Sequence, residues 1–518
     1  MTVLPPLNLF NWLLALLPVI LLITLMLWQH WGGSKAGAAA YLVTLLIAWL
    51  RFGAGFEVFA YAQAKAVLLS LDVLWIIWNA LLLFHLTREA GAIDRIGKAL
   101  SSLTPNRTMQ GLILGWIFSS FVQGLGGFGV PIAITAPLLV GVGFSPVQAV
   151  IMAAMGHSWG VTFGSLASSF QTLLAVTGLP AAYLAPYSLL LLGIACYVCG
   201  MLVALLAGGW KGLRQTILPI LAVATVMAGT QFLVANYVIS TLGVTLAGIL
   251  GLAAIVLITR LPRFRNPEKS SESIGSVIRS FSSYIILVVL AFGINLIPPL
   301  NDMLSRLEFT LQFPALQTSL GMLIPAGHGR VLQIFSHPGT ILLYSSLISL
   351  LLYRKLGYYQ PGYTKRITAQ VTKGAIESSL GIMVMVALSV VMSDSGMTQL
   401  IAQGLSQSVS RVFYPLIDPF IGALGAFITG SNNNANVLFG VLQMKTAELL
   451  GLSVPLILAA QTAGGSLGSV LAPAKVIVGC STVGLGGQEG TVMKKMLLLG
   501  LIPIAVVAVA AFLIQLFI

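Results

Sequence analysis

The sequence predicts an all-α polytopic membrane protein with helices broken at two matched places. Three observations carry that prediction. The chain has 518 residues, 58% of them hydrophobic and only 8% charged, with a mean hydropathy of +0.98, and no water-soluble fold hides that much apolar surface. The apolar residues come in continuous runs of bilayer length, not in alternation, which excludes a porin-like barrel. Two Gly/Asn-rich breaks, Gln123-Gly-Leu-Gly-Gly-Phe-Gly-Val-Pro131 and Thr429-Gly-Ser-Asn-Asn-Asn-Ala-Asn436, interrupt hydrophobic sequence, one in each half. Irregular backbone at membrane depth survives only where protein buries it or it lines a cavity. Paired breaks of this kind point to the binding site of a carrier.

Plausible spans are 9–28, 36–51, 66–86, 184–208, 214–233, 237–259, 277–299, 336–353, 375–393 and 493–517. The first lacks a basic leader region and a small-residue cleavage site, so it reads as a retained span. Basic clusters follow some spans and not others: Arg88, Arg95, Lys98 and Arg107; Lys211 and Arg214; Arg260, Arg263, Arg265, Lys269 and Arg279; Arg354, Lys355, Lys365, Arg366 and Lys373; Lys494 and Lys495. Placing each cluster in the cytoplasm gives a consistent alternation with both termini outside. The net charge of +13 then orients helices and implies no nucleic acid. The mixed-charge loop 300–335 falls outside, with a half-buried helix. Cys196, Cys199 and Cys480 are scattered in apolar sequence and read as core residues, with no disulfide framework, metal site or cofactor implied.

Five regions follow: scaffold spans in 1–109, a first transport region with a broken helix in 110–180, further scaffold and the external loop in 181–411, a second transport region in 412–492, and a terminal span in 493–518. The first transport region is entered from the cytoplasm and the second from outside. After the first break comes Gly143-Phe-Ser-Pro-Val-Gln-Ala-Val-Ile-Met-Ala-Ala, and after the second Gly451-Leu-Ser-Val-Pro-Leu-Ile-Leu-Ala-Ala. Gly-rich stretches follow both. Sequence and topology together indicate an inverted repeat, which builds a pseudo-symmetric secondary transporter with its site near the midplane. The plain alternative is that Gly and Ala recur in all membrane helices because small residues let helices approach.

With these motifs in view, the chain resembles the bacterial lactate permease family over most of its length. Gly126-Gly-Phe-Gly-Val-Pro-Ile-Ala-Ile-Thr-Ala-Pro-Leu-Leu-Val-Gly-Val-Gly-Phe144, Phe427 to Asn436 with Leu438-Phe439, and Thr462, Gly464, Gly465, Gly468 and Pro473 carry the likeness. The resemblance implies uptake of lactate or a related 2-hydroxymonocarboxylate such as glycolate, usually with a proton, across the bacterial inner (plasma) membrane. More distantly, Ser431-Asn432-Asn433 is similar to the Ser-Asn-Thr hairpin tips of dicarboxylate carriers, which move by an elevator motion, a fold-level analogy to the ion-transporter superfamily; elevator-type carriers often form homodimers. The departures are specific. The family pattern has an acid where this chain has Gln123, another at Asn432, and a lysine at Ser469. This chain instead carries Lys475.

A small carboxylate at the midplane needs N–H donors, a cation or dipole, and a partner for any hydroxyl. Half-helix N-termini supply the first two. Substrate-binding candidates are therefore Gln123, Gly126, Gly127, Phe128 and Gly129 from the first break. From the second half they are Ser431, Asn432, Asn433, Asn434, Asn436, Gln461, Thr462, Gly464, Gly465 and Lys475. The Asn run has the alternative of an ordinary polar loop outside the membrane, and Lys475 that of a lysine snorkelling to an interface. Proton-coupling candidates are Asp72, His157 and Asp394. Asp72 could instead pair with a buried cation such as Lys65, His157 could be a satisfied core histidine, and Asp394 could face water at a helix end.

Within transport, a channel, a uniporter and an exchanger remain rivals. A polytopic membrane enzyme is the rival class, but it would need a charged catalytic constellation, and only Asp72, His157 and Lys475 could supply one.

Overall fold

The computed structural model describes residues 4–29, 31–127, 129–264, 279–328, 331–485 and 488–518. Three helices open the chain: α1 (Leu9–Leu27), α2 (Gly33–Phe52) and α3 (Phe56–Glu89). The Asn8 side chain caps α1 by accepting from the Asn11 N–H at 2.8 Å, and α2 stops at Gly53, whose φ of 69° continues no helix. A short amphipathic helix, α4 (Ala92–Ser101), leads to the first complex region. There α5 (Arg107–Leu112), a π-helical turn (Ile113–Phe118) and α6 (Ser119–Leu125) form one rod up to the first break. Beyond it run α7 (Val130–Gly141), α8 (Pro146–His157) and α9 (Gly164–Thr177).

The expected spans 184–208 and 214–233 are the two arms of α10 (Ala181–Tyr237), which bends at Gly209 (φ 59°, ψ −162°). Then follow α11 (Gly243–Thr259), α12 (Ser282–Leu296) and α13 (Pro298–Ser305), the last two bent by 86° from one another. The segment after α13 departs from a purely helical chain. It folds as a nested hairpin of two-residue strands, with β1 (Glu308–Phe309) against β6 (Leu332–Gln333), β2 (Gln312–Phe313) against β5 (Gly327–His328) and β3 (Leu316–Gln317) against β4 (Leu323–Ile324). After it come α14 (Pro338–Lys355), α15 (Tyr363–Asp394) and α16 (Met397–Ser408). The second complex region holds α17 (Tyr414–Thr429), α18 (Asn432–Leu450), α19 (Val454–Ser469) and α20 (Pro473–Thr482), and α21 (Glu489–Phe517) ends the chain. Among the described residues eight helices are long and apolar enough to cross a membrane, or nine if the bent pair counts as one span.

Both complex regions have the same local order: helix, break, helix, turn, helix, break, helix. Their turns share a glycine with a serine two residues on. Gly143 and Gly451 both take positive φ (94° and 62°), and Ser145 and Ser453 sit at the N-caps of α8 and α19, each followed by proline in the first turn. The glycine reverses the chain where a Cβ would strain it, and proline fits the first helical turn because its missing N–H is not needed there.

Apolar burial divides the helices into two large cores. One joins α5 to α11 with α19, α20 and α21, around Trp116, Phe118, Phe121, Trp159 and Leu458. The other joins α1, α2, α3, α15 and α16, around Phe52, Ile77, Met385 and Leu400. Residues of α18 contribute to this second core through Val437, Phe439 and Leu442.

Backbones approach closely where the second region packs on itself. A Cβ at Gly464 would overlap the Pro419 carbonyl oxygen, one at Gly468 the Ala423 backbone, and one at Gly422 the Gln461 backbone. This is the small-residue packing of membrane helices. A Gly464→Ala variant should therefore lose about 1–3 kcal/mol of stability. Gly490→Ala, where a Cβ meets nothing within 4 Å, should be near neutral. Thermal unfolding of the purified protein in detergent, followed by tryptophan fluorescence, measures the difference.

Candidate functional site

The two breaks meet. Gln123, Gly127, Ser165, Ser168 and Ser169 of the first region face Gly430, Ser431, Asn432, Asn433 and Lys475 of the second across a buried cavity of about 20 Å³. That volume admits a water molecule and nothing larger.

Helix ends are what bring these residues there. Gly129, at φ 87°, starts α7. Ser431 caps α18 by accepting from the Asn434 N–H at 3.4 Å, and α20 begins at Pro473 with Lys475 in its first turn. A Cβ on Gly129 would lie 3.8 Å from Lys475 Cγ, so the α7 and α20 N-termini are neighbours. Three helix N-termini thus surround one lysine. Opposite them the backbone bends at Ser165, Leu166 and Ala167, with φ of 46°, 54° and 58°. Left-handed conformation costs non-glycine residues roughly 1–2 kcal/mol each. Three in succession mark a backbone held in place by its surroundings. The turn is braced by the Ala167 N–H donating to Phe163 O at 3.2 Å and the Phe170 N–H to Thr162 O at 3.1 Å.

Side-chain hydrogen bonds knit the halves together behind the cavity. Asn432 Nδ2 donates to Thr162 Oγ1 at 3.0 Å. Thr162 Oγ1 donates to Thr462 O at 3.0 Å, and Asn436 Nδ2 donates to Thr462 Oγ1 and Ser169 O, both at 2.9 Å. Gln461 Nε2 donates to Asn436 Oδ1 at 3.2 Å. Ser169 Oγ donates to Asn433 Oδ1 at 2.5 Å. Ser466 Oγ donates to Ser158 O at 2.6 Å across a sequence separation of 308 residues, the same separation that divides Gly143 from Gly451.

Not every buried polar atom here is satisfied. Asn433 Nδ2, Asn432 Oδ1, Asn434 Oδ1 and Gln461 Oε1 have no partner among the described residues. Lys475, 8% exposed, donates to Ser469 Oγ at 3.2 Å, and among the described residues no carboxylate pairs with it.

The other sequence candidates scatter. Gly126 packs against the Phe84 ring of α3, and Gly465 leaves room for Asn432 Oδ1. Gly464 serves the α17–α19 contact described above. Asn434 turns toward α15, where a Cβ on Gly381 would lie 3.9 Å from its Nδ2. Phe128 lies outside the described residues. His157 is buried and does not line the cavity, its Nδ1 2.6 Å from Ala153 O and 3.2 Å from Ser119 Oγ.

Lys65 and Asp72 do not pair with each other. Lys65 Nζ meets Asp394 Oδ2 at 2.9 Å, and Asp72 Oδ1 meets His337 Nε2 at 3.0 Å. The Lys65–Asp394 pair sits in the wall of a larger vestibule of about 610 Å³, lined also by Leu174, Gly178, Phe313, Ser389 and Val441. Leu174 follows Ser169 along α9, and Val441 follows Asn433 along α18, so the vestibule lies directly above the cavity. It sits at the boundary of the two cores.

Sequence reasoning overlooked Thr162, Ser165, Ser168, Ser169 and Ser466. Their signal was present: hydroxyl residues clustered in Gly-rich apolar stretches, where a buried polar group needs a partner.

A membrane-spanning bundle that closes two broken helices around a buried polar cavity belongs to the class of membrane transporters. Within that class the chain belongs to the lactate permease family, whose profile, described as L-lactate permease, matches residues 11–518. It is 28% identical to the glycolate permease GlcA of Escherichia coli (strain K12) over 521 residues, covering 93% of this chain and 91% of that protein. It is 27% identical to the L-lactate permease of Bacillus subtilis (strain 168), with 93% and 92% covered, and 29% identical to that of Streptococcus iniae, with 87% and 94% covered. Among solved structures, the Alcanivorax borkumensis YdaH transporter aligns over 97% of both chains at 15% identity, with a TM-score of 0.40.

The hydrogen-bond knot predicts unequal costs for neighbouring asparagines. Asn436→Ala removes donors to Ser169 and Thr462 and should cost about 1–3 kcal/mol. Asn434→Ala, whose Oδ1 is already unpartnered, should cost clearly less. Melting temperatures of the two variants in detergent give the comparison.

Proposed function

We propose that this protein is a secondary carrier for a small 2-hydroxymonocarboxylate, lactate or glycolate, working across the bacterial plasma membrane. One observation carries the reading. A buried ammonium with no carboxylate partner among the described residues, Lys475, stands among three helix N-termini beside Asn433, whose amide donor has no partner among them either. Buried polar groups are almost always satisfied, and an isolated charge in the membrane is costly. A carboxylate answers both needs, with Lys475 as counter-ion and Asn433 Nδ2 and the helix N–H groups as donors.

The departures from the family pattern fit this arrangement. The resemblance places a lysine at position 469, and the Lys475 ammonium reaches within 3.2 Å of the Ser469 hydroxyl. The cation therefore comes to the same neighbourhood from the next helix. Amides at Gln123 and Asn432, where the family pattern has acids, leave the cavity wall without negative charge.

The two complex regions, 110–180 and 412–492, form the mobile unit in this reading, as an inverted repeat. Helices α10, α11 and α21 share its core and travel with it, while α1, α2, α3, α15 and α16 form the frame. With the basic clusters in the cytoplasm, the vestibule opens to the outside. Transport is an elevator-like symport with a proton, and two copies sharing a frame-to-frame interface would form the homodimer.

Uptake of labelled L-lactate and glycolate into proteoliposomes, with and without an inward proton gradient, tests the reading. Wild type should show saturable uptake of at least one, stimulated by the gradient. Lys475→Ala should reduce that uptake at least a hundredfold while the protein remains monodisperse in detergent. Wild-type affinity in Lys475→Ala would remove the counter-ion role. Equal, non-saturating flux would indicate a channel.

A further inference from the structure

Asp418 is a carboxylate that neither the sequence motifs nor the cavity accounts for. It lies one turn inside α17, fully buried at 0% exposure. Among the described residues neither of its oxygens has a hydrogen-bond partner. The helices packed against α17 are α19, α21, α18 and α1. α19 and α1 contain no ionisable residue. On α18 the charged residues are Lys445 and Glu448, which pair with each other at 2.9 Å on the surface.

On α21 they are Glu489, Lys494 and Lys495, all near its N-terminus. The other end of α21 is the one near Asp418: Gln515 Oε1 accepts from the Ser453 N–H at 3.1 Å, and Ser453 adjoins Gly451, against which Arg411 lies just before α17. On α17 itself the titratable neighbour is Tyr414, one turn back, whose hydroxyl donates to Gln443 Oε1. No cation faces Asp418 among the described residues.

An ionised carboxylate with neither counter-ion nor donor is among the costliest things a membrane interior can hold. A neutral acid at the same place costs far less. The position is also useful. One turn further along α17, Gly422 lets the helix lie directly on Gln461, and Gln461 bonds Asn436 in the knot behind the substrate cavity. Toward the helix start, Tyr414 and Gln443 continue the polar path, and Gln443 Nε2 has no partner among the described residues.

We propose that Asp418 is the proton-binding residue of this carrier. It holds the transported proton as its neutral acid in the conformation described. It accepts that proton from water on the vestibule side and gives it up to water on the other. Protonation removes a buried charge from the moving unit, so the unit crosses readily only when it is loaded. The transport assays below rest on the carrier reading above. The chemical labelling does not.

In proteoliposomes, Asp418→Asn should lose gradient-driven accumulation of labelled L-lactate and glycolate at least tenfold, while counterflow against unlabelled substrate persists. Asp418→Glu should restore accumulation. Accumulation at the wild-type level in Asp418→Asn overturns the inference, and so does loss of counterflow in a monodisperse Asp418→Asn protein. Saturable wild-type uptake that ignores the gradient overturns it too, while leaving the substrate reading intact.

The wild-type protein provides a test that needs no variant. A protonated, water-excluded carboxyl adds across a C=N bond of an apolar carbodiimide, its proton going to one nitrogen and its oxygen to the central carbon; the O-acylisourea rearranges to a stable N-acylurea, which is located by peptide mass spectrometry. Adduct on Asp418 at neutral pH is expected. Its absence under conditions that label a membrane-buried carboxyl in a control protein overturns the inference. If neither probe is transported, the substrate reading fails and the labelling alone decides the role of Asp418. If Asp418→Asn does not fold, Asp418→Glu accumulation and wild-type labelling decide it.

Discussion

The structure depends on one constraint: helix breaks opened inside a bilayer must find partners for every backbone group they release. An unpaired N–H or C=O there costs several kcal/mol. The chain meets that demand by facing its breaks toward each other. Asn432 and Asn436 donate to Thr162, Thr462 and the Ser169 carbonyl, and Ser466 donates to the Ser158 carbonyl. Each half supplies side chains that satisfy the other half's backbone. Neither broken segment is tenable alone, which ties binding geometry to fold stability. The glycines follow from the same demand, since Gly422, Gly464 and Gly468 let α17 and α19 approach until such short side chains can reach.

Much of this was legible in the sequence because it rests on composition and local pattern. Apolar run length fixes spans whatever they pack against, so α1, α2 and the two arms of α10 lie near their expected bounds. The breaks announce themselves by Gly and Asn in apolar surroundings, and the matched Gly-x-Ser turns by their shared order. Pairings between distant residues are another matter. Asp72 meets His337, and Lys65 meets Asp394, because long-range helix packing sets those neighbours and no spacing encodes them. The left-handed turn at Ser165 to Ala167 carries no glycine at its centre, so its local sequence reads as ordinary helix. The short ladders of 308–333 lack the alternation that marks a strand.

The same distinction explains the site. Lys475 was conspicuous because a lysine in apolar sequence is rare at any depth. Its position relative to Gly129 and Ser469 depends on where α20 starts, and that depends on the break before Pro473. Asp418 was inconspicuous for the opposite reason. It falls between Pro415 and Pro419 near Arg411, and reads as a loop-edge residue until the burial of α17 is known.

The cavity itself argues for movement. At about 20 Å³ it is smaller than any carboxylate-bearing ligand, although its walls carry unspent donors and acceptors. If the cavity is the substrate site, as proposed, a loaded state separates some of the contacts that now close it. The Ser169–Asn433 and Lys475–Ser469 hydrogen bonds are the ones whose partners line the cavity or adjoin it. The knot behind it, through Thr162 and Thr462, can remain intact. The vestibule shows where the opening would lead, since it runs along the seam between the two cores. Across that seam the contacts are chiefly aliphatic, with Ser389 Oγ donating to Val437 O at 2.7 Å as a polar exception. A seam of this kind can slide at the cost of few buried hydrogen bonds, the Ser389–Val437 bond among them. The interface between the broken helices is laced with such bonds, which fits the proposal that the two regions travel as one rigid unit.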